Sequence, residues 1–129
     1  MAEGLTDEAA SLLGSEPLMA HLATCREGRP HVAPLWYALH DGAVEVATTG
    51  RKLANLRRNP RVALSVQKDD DGDPLWGVSL RGTAHVVDDE ATSRAVIRRI
   101  NRRYGEDEDA WADNTAVRID VGSSTAWRY

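Results

Sequence analysis

The sequence predicts a mainly β protein, a small antiparallel β-barrel decorated by two to three short helices, as one domain over residues 1–129. Short segments of alternating apolar residues follow one another through turn signals such as Glu27-Gly28 and Asp41-Gly42, which is typical of consecutive hairpins. Gly82 interrupts a long strand pattern, as glycines do where barrel strands bend. A chain of 129 residues has the length of a single domain.

The first half of the chain combines a meander of strands with two helices. Thr6 or Asp7 can cap the first helix, which ends near Gly14. The alternation of apolar residues predicts four strands, over residues 18–25, 31–40, 44–48 and 61–67. Between the last two of these, a short helix begins at Gly50 and stops at Asn59-Pro60.

The second half begins with the acidic segment 68–74, which we interpret as a solvated hairpin loop because its register does not match a calcium-binding loop. A long strand is predicted over 75–87, and Asp88, Asp89 and Glu90 then open a helix at the end where acids are favourable. Four arginines of that helix, Arg98, Arg99, Arg102 and Arg103, are expected to form a solvated face. Alternating apolar residues near the C-terminus predict a further strand, which gives a total of about six strands.

Composition excludes several classes of function. A net charge of −4 and a pI near 5.5 disfavour nucleic-acid binding. Cys25 is the only cysteine, so we expect no disulfide and a reducing, cytoplasmic location. Membrane insertion is not expected, because no apolar run approaches 18 residues. The four histidines lack metal-ligand spacing and no nucleophile motif occurs, so we predict no metal site and no catalytic side chain.

A basic segment stands out in this acidic chain. The eleven residues from Arg51 to Arg61 contain five cations and no acid. Arg57 and Arg58 lie in the last helical turn, where the helix dipole favours cations. Arg51 and Lys52 lie in the first turn, where cations are unfavourable unless an anion is bound. We therefore predict a phosphate site there, with a merely solvated basic helix end as the alternative.

The second strand contains Pro34, followed by Leu35, Trp36 and Tyr37. Proline cannot donate to a strand ladder, so this segment should lie at a sheet edge or at a bulge. The proline and aromatic residues are compatible with a flat ligand lying on the strand. Packing at an edge strand explains them equally well.

Three motifs resemble one family in their order along the chain. They are Gly28-Arg-Pro-His-Val-Ala-Pro-Leu-Trp36, Thr49-Gly-Arg-Lys-Leu-Ala-Asn-Leu-Arg-Arg-Asn-Pro-Arg-Val62 and Val78-Ser-Leu-Arg-Gly-Thr-Ala84. They are similar to the flavin-binding split β-barrel superfamily typified by pyridoxamine 5′-phosphate oxidase, and within it to small flavin- and deazaflavin-dependent oxidoreductases. The fold implied is a six-stranded antiparallel split β-barrel.

The resemblance implies a homodimer with two cofactor sites at the subunit interface. The cofactor is FMN or the deazaflavin F420, with haem in some relatives. The residues implied in cofactor binding are Thr49, Arg51, Lys52 and Asn55 at the phosphate, Pro34, Leu35 and Trp36 along the ring, and Trp76 from the partner subunit. The C-terminal Arg-Leu-x-Pro signature of the vitamin B6 oxidases is lacking, so oxidation of pyridoxamine phosphate is not expected.

The leading functional hypothesis is a cytoplasmic, dimeric reductase in which F420 or FMN passes a hydride to a small organic acceptor. The cofactor would carry the chemistry while the protein supplies binding and orientation. A second hypothesis is a flavin or deazaflavin carrier or sensor without turnover. A third is a barrel that has lost its cofactor and serves as an interaction module.

Overall fold

The computed structural model describes residues 2–129, with side chains from residue 4 onward. Three helices occur in this part of the chain, Asp7–Ser15 (α1), Gly50–Arg58 (α2) and Glu90–Arg103 (α3). The strands there are Ala2–Glu3 (β1), Ala20–Arg26 (β2), Arg29–Leu35 (β3), Ala38–His40 (β4), Ala43–Thr48 (β5), Arg61–Asp70 (β6), Asp73–Val86 (β7) and Thr115–Arg128 (β8).

The strands form one antiparallel sheet in the order β3-β2-β6-β7-β8-β5-β4, with β1 paired to β8 outside this path. The strands β3 and β4 follow each other in the chain, yet they lie at opposite ends of the order. The sheet therefore curls into a barrel that stays open along this line. The predicted fold class, a mainly β split barrel with helical decoration, is confirmed.

The prediction of one continuous strand over 31–40 is wrong, because it divides into β3 and β4 around Trp36 and Tyr37. The backbone N–H of Tyr37 donates to the hydroxyl of Tyr104, 3.2 Å away, instead of to a neighbouring strand. The structure has eight strands in its described part, two more than expected. The two shortest, β1 and β4, are too short to show an alternating pattern.

Local signals in the sequence set several element boundaries. Thr6 caps α1 by accepting a hydrogen bond of 3.1 Å from the N–H of Ala9. The segment 68–74 forms a hairpin as predicted, but its loop is only the turn at Asp71-Gly72, because residues 68–70 and 73–74 belong to β6 and β7. Gly82 marks a shift of register between β7 and β8. A Cβ atom at Gly82 would lie 2.3 Å from the carbonyl oxygen of Asp120, so the two strands approach too closely for any side chain there.

Two apolar clusters stabilise the domain. The larger fills the barrel and includes Tyr37, Leu64, Leu80 and Ile119, all with at most 1% exposure. The smaller lies beneath α3, where Ile97 and its neighbours pack against strands β4, β5 and β8. The two clusters fix α3 beside the opening between β3 and β4.

The prediction of a solvated arginine face on α3 is wrong for two of the four arginines. Arg99 donates two hydrogen bonds, of 2.9 and 3.0 Å, to the carboxylate of Glu45, whose side chain is 3% exposed. Arg103 donates to the carbonyl oxygens of Leu13, Glu16 and Tyr37. Both side chains extend from α3 to other parts of the chain. The periodicity of a helix shows which residues share a face, but not which distant residues they contact.

Candidate cofactor site

The start of α2 and the β2–β3 hairpin face each other across a cleft of about 550 Å³. We call it the basic cleft. Its lining residues are Arg26, Glu27, Arg29, Pro30, His31, Arg51, Lys52 and Asn55. The structure thus places three of the four residues predicted to hold a phosphate, Arg51, Lys52 and Asn55, on one wall. Asn55 also accepts a hydrogen bond of 3.3 Å from the guanidinium of Arg26, which joins α2 to the opposite wall.

Most lysines and arginines within residues 4–129 pair with an acid, but those of the basic cleft do not, and neither do Arg61, Arg81 and Arg103. Within residues 4–129, nine lysines and arginines form ion pairs with acids. Among those same residues, no acid pairs with Arg26, Arg29, Arg51 or Lys52. The only acid lining the cleft, Glu27, pairs with Arg58 at 3.5 Å. The cleft therefore offers four positive charges to an anion.

The first turn of α2 adds backbone donors to the same place. Thr49 occupies the N-cap position, but its hydroxyl makes no capping hydrogen bond. The first N–H groups of α2 therefore have no side-chain cap, and they add partial positive charge at the wall of the cleft. Gly50 has a φ of +63°, a conformation that suits glycine at this entry into the helix.

A buried hydroxyl without a partner lies beside the basic cleft. Thr24 is 7% exposed, and its side-chain oxygen is the one atom in the described side chains that is buried without a hydrogen bond. In the sheet register it lies directly opposite His31, which lines the cleft. A buried polar atom left without a partner is costly, so its presence calls for an explanation.

A second, apolar depression of about 340 Å³ lies at the other end of β3. We call it the aromatic depression. Its lining residues are Met19, Pro34, Leu35, Trp36, Ala47, Ile97, Ile100, Asn101, Trp111 and Asn114. All three residues predicted to lie along a ring, Pro34, Leu35 and Trp36, are among them.

Aromatic stacking fixes the wall of this depression. The ring of Trp36 stacks on Tyr104 of the α3 C-terminus, with centroids 4.6 Å apart and planes 7° apart. Trp111 meets Trp36 edge to face at 6.5 Å. Trp111 is 56% exposed and has a φ of +57°, which is unfavourable for a bulky residue. Burial raises the pKa of the Tyr104 phenol, so this hydroxyl stays protonated and donates to the carbonyl oxygen of Leu18.

Two segments of the chain run from one depression to the other. Strand β3 contributes His31 to the basic cleft and Leu35 to the aromatic depression. Their separation of four positions corresponds to roughly 13 Å of strand. The junction of β5 and α2 contributes Ala47 at one end and Arg51 at the other. A single elongated molecule with an anionic end and a flat apolar end can therefore follow both segments.

A family model described as pyridoxamine 5′-phosphate oxidase matches residues 5–128, nearly the whole chain. The chain belongs to the pyridoxamine 5′-phosphate oxidase family. This confirms the resemblance drawn from the three sequence motifs.

Solved structures in this family have the same fold. The conserved hypothetical protein Rv2991 from Mycobacterium tuberculosis is 29% identical, with a TM-score of 0.82 over 98% of this chain and 86% of the other. A protein described as an F420 reductase is 29% identical, with a TM-score of 0.74 over 89% and 94%. An FAD-binding protein from Mycobacterium smegmatis is 25% identical, with a TM-score of 0.69 over 95% and 94%. No curated protein matches the chain significantly.

Four further positions complete the comparison between the predicted site and the structure. Trp76 does not join the other predicted residues, because it is only 7% exposed and packs in the main core of its own chain. Arg26 and Arg29, which lie opposite each other in the β2–β3 register, were not predicted from the sequence. Their symmetrical positions around the Glu27-Gly28 turn were the available signal. Trp111 was not predicted either, because it lies in an irregular loop without any periodic pattern.

Among the described helices, none is both long and apolar enough to cross a membrane.

Proposed function

We propose that the protein binds a phosphorylated flavin-type cofactor, F420 or FMN, and acts as an oxidoreductase that passes a hydride to a small organic acceptor. The observation that carries this proposal is the set of four cations without acidic partners in the basic cleft, aligned with the aromatic depression. The F420 reductase and the FAD-binding protein among the similar structures support this cofactor class.

The residues present fit the phosphate end of such a cofactor. Arg51 and Lys52 supply charge, Asn55 supplies an amide, and the first N–H groups of α2 supply backbone donors. Charged donors of this kind make the strong hydrogen bonds that bind phosphate in proteins. Thr49 stands at the same helix start with its hydroxyl unused in capping, so it can donate to a phosphate oxygen.

The aromatic depression fits the ring end. Pro34 and Leu35 lie on β3, which is a terminal strand of the sheet, so one edge of its backbone is open to a ligand. A flat ring with hydrogen-bonding groups can use this edge, while Trp36 and its stacking partner supply an apolar wall.

When bound, the cofactor supplies the redox chemistry, and the chain supplies position and a dry surface. No residue lining the aromatic depression is acidic, basic or a histidine. The side chains there can therefore orient a ring and exclude water, but they offer no general acid or base. Protons would come from solvent.

The proposal includes a homodimer in the cytoplasm, with each cofactor site completed at the subunit interface. The terminal strand β3 is open on one side, and its Val32 is 61% exposed. A second copy that covered this strand would bury apolar surface and enclose the ring. Trp76 is not part of this proposal, because its side chain packs in the hydrophobic core of its own chain.

A carrier or sensor without turnover is the second candidate. The absence of titratable groups around the aromatic depression favours it, since binding needs no acid or base there. Purified protein that binds the cofactor but fails to oxidise or reduce it with any acceptor or reductant would establish this alternative.

The binding test compares two double variants that each remove two positive charges. R51A/K52A removes two unpaired cations from the first turn of α2, whereas R57A/R102A removes two arginines that pair with Asp88 and Glu108 and do not line the basic cleft. Each charge-assisted phosphate contact contributes about 1.5–3 kcal/mol, so R51A/K52A should weaken cofactor binding at least about 100-fold. R57A/R102A should change it less than about threefold. Fluorescence titration with F420 and with FMN measures both.

Equal affinity in the two double variants would contradict the proposed phosphate site. Wild-type protein that binds neither cofactor would contradict the proposal as a whole and favour the interaction module. A Soret band in the purified protein would indicate haem instead.

A further inference from the structure

A further depression, of about 430 Å³, lies next to the aromatic depression. We call it the indole cleft, and its lining includes Met19, His21, Ser65, Gln67, Asp69 and Trp127. Met19 lines both depressions. His21 lies directly opposite Pro34 in the β2–β3 register, and Pro34 lines the aromatic depression. Opposite residues of an antiparallel pair have Cβ atoms about 4.5–5.5 Å apart, so His21 lies beside the proposed ring site.

The indole of Trp127 gives the cleft an apolar stacking surface. It covers Gly77 of the neighbouring strand, where a Cβ atom would lie 2.6 Å from the indole Cε2 atom. The glycine therefore allows the ring to pack directly against the backbone of β7. Trp127 and Met19 are both exposed and line the same cleft. A flat molecule that entered the cleft would stack on the indole and cover both side chains.

The charge of the cleft restricts what it can bind. Among the described residues, no lysine or arginine lines it. Its one carboxylate, Asp69, accepts a hydrogen bond of 2.9 Å from the side-chain amide of Gln67. A molecule with a phosphate or carboxylate group would therefore meet no counter-charge other than a protonated His21. The cleft fits a flat, uncharged molecule.

His21 supplies a group that the aromatic depression does not have. Histidine is the side chain that ordinarily exchanges a proton between about pH 5 and 8. Within residues 4–129, its imidazole forms neither a hydrogen bond nor an ion pair, whereas His40 and His85 contact Asp41 and Asp120 at 3.3 and 2.9 Å. Both nitrogens of the His21 ring are therefore available to a ligand in the cleft.

We propose that the indole cleft binds the acceptor, a flat, uncharged carbonyl compound, and that His21 is its proton donor. This rests on the proposed oxidoreductase function and deepens it. The acceptor gains two electrons and one hydrogen as the hydride that the reduced cofactor gives up. Its carbonyl oxygen takes the second hydrogen from the His21 imidazolium, so an N–H bond breaks and an O–H bond forms. His21 is left neutral and regains its proton from solvent.

Isothermal titration calorimetry tests the acceptor site without turnover. The titrant is 2,3-dimethyl-1,4-naphthoquinone, a flat and uncharged quinone, and the protein is saturated with the oxidised cofactor that it binds, FMN or F420. W127L should weaken quinone binding about fivefold, as expected for the loss of an aromatic stacking contact, and should keep its cofactor affinity. W111L is the matched control, because Trp111 is also exposed but lines the aromatic depression. It should change quinone binding less than about twofold.

Steady-state reduction of the same quinone tests the proton donor. H21Q keeps a polar side chain of similar length but delivers no proton, so kcat should fall about 100-fold while quinone affinity changes less than about threefold. H85Q is the matched control, because His85 is also an exposed histidine but pairs with Asp120 and lines a different part of the surface. It should leave kcat unchanged.

The pH profile separates proton donation from a structural role. In the wild type kcat should fall as the pH rises from about 5 to 8, because the imidazolium loses its proton, and H21Q should not show this fall. Pro34 and Ser65, which lie opposite His21 on the two neighbouring strands, do not titrate. Asp69 of β6 is the other titratable group that lines the cleft. D69N should therefore keep the fall.

Equal quinone affinity in W127L and the wild type would overturn the indole cleft as the acceptor site. A kcat and a pH profile unchanged in H21Q would overturn the role of His21. Both outcomes would leave cofactor binding intact. Wild-type protein that bound neither FMN nor F420 would overturn the proposed function and this inference with it.

Discussion

Helices α2 and α3 are both rich in arginine, but the structure uses their charges in opposite ways. The arginines of α3 reach acids or carbonyl groups of other elements, with Arg99 on Glu45 as the most buried case. The first-turn cations of α2, Arg51 and Lys52, meet no acid among the side chains described and face a cleft. The difference teaches that the partner which an arginine meets in the folded chain separates a structural charge from a binding charge.

The largest expected effect on stability is at Arg99. Arg99→Ala leaves the carboxylate of Glu45 almost completely buried without a partner, which should cost about 3 kcal/mol in the free energy of unfolding. Urea unfolding at fixed protein concentration measures this. Cofactor affinity should be unchanged, because Glu45 and Arg99 line neither depression.

The control for Arg99 replaces both partners. E45M/R99M removes the two charges together and should recover most of the lost stability, since no unpaired charge stays buried. If R99A proved as stable as the wild type, Arg99 would have no structural role, and the contrast between the arginines of α3 and the first-turn cations of α2 would not hold.

A smaller effect is expected at Tyr37, the residue against which Arg103 of α3 packs at 4.6 Å. The buried Tyr37 hydroxyl donates to the carbonyl oxygen of Leu13 at 2.7 Å. Tyr37→Phe keeps the ring but leaves this carbonyl with one partner fewer, and it should cost about 1 kcal/mol. Arg103 still donates to the same oxygen, which limits the loss.

The phenol of Tyr37 also predicts how the stability of the protein depends on pH in the alkaline range. Burial raises the pKa of Tyr37 above its ordinary value of 10.0 in the folded protein. Above pH 10 the unfolded chain therefore loses this proton before the folded protein does, and stability falls until the folded pKa is passed. Urea unfolding between pH 8 and 11 should show a steeper alkaline loss in the wild type than in Y37F. Identical slopes would contradict the assignment.

The smallest expected effect has the opposite sign and lies at Arg51. Arg51→Glu replaces a cation by an acid in the first turn of α2, where the helix dipole favours negative charge, so the cofactor-free protein should gain about 0.3–1 kcal/mol. Cofactor affinity should fall at the same time. A residue whose replacement improves stability and impairs binding is retained for the ligand.

Arg57→Glu is the matched control, with the same change of charge in the last turn of α2. It opposes the helix dipole and breaks the ion pair with Asp88, so it should destabilise the protein. If R51E also destabilised the cofactor-free protein, the first turn of α2 would not be the unfavourable place for a cation that its sequence indicates.

Most of the fold could be predicted because its signals are local. The turns at Glu27-Gly28 and Asp41-Gly42 have positive φ angles, which glycine adopts readily, and Gly82 marks the bend where two strands approach. The break between β3 and β4 was missed because it depends on Tyr104, which is distant in sequence and provides a partner for the Tyr37 N–H.

Half of the candidate site was also accessible from the sequence. Arg51 and Lys52 are conspicuous because the helix dipole makes their positions unfavourable without a ligand. Arg26 and Arg29 were not conspicuous, since arginines at a hairpin are ordinary. Only the packing of α2 against β2 shows that they face the same cleft.

The sequence by itself determined where strands and helices begin, through turn chemistry and periodicity, and it determined that the start of α2 carries an unfavourable charge. The tertiary structure decided which charges are neutralised and which are left for a ligand. The physical reason is that an ion pair depends on two side chains meeting within about 4 Å, a distance that sequence separation does not encode. The sequence accordingly gave no sign that Arg99 has a buried partner, because only the folded chain brings Glu45 to it.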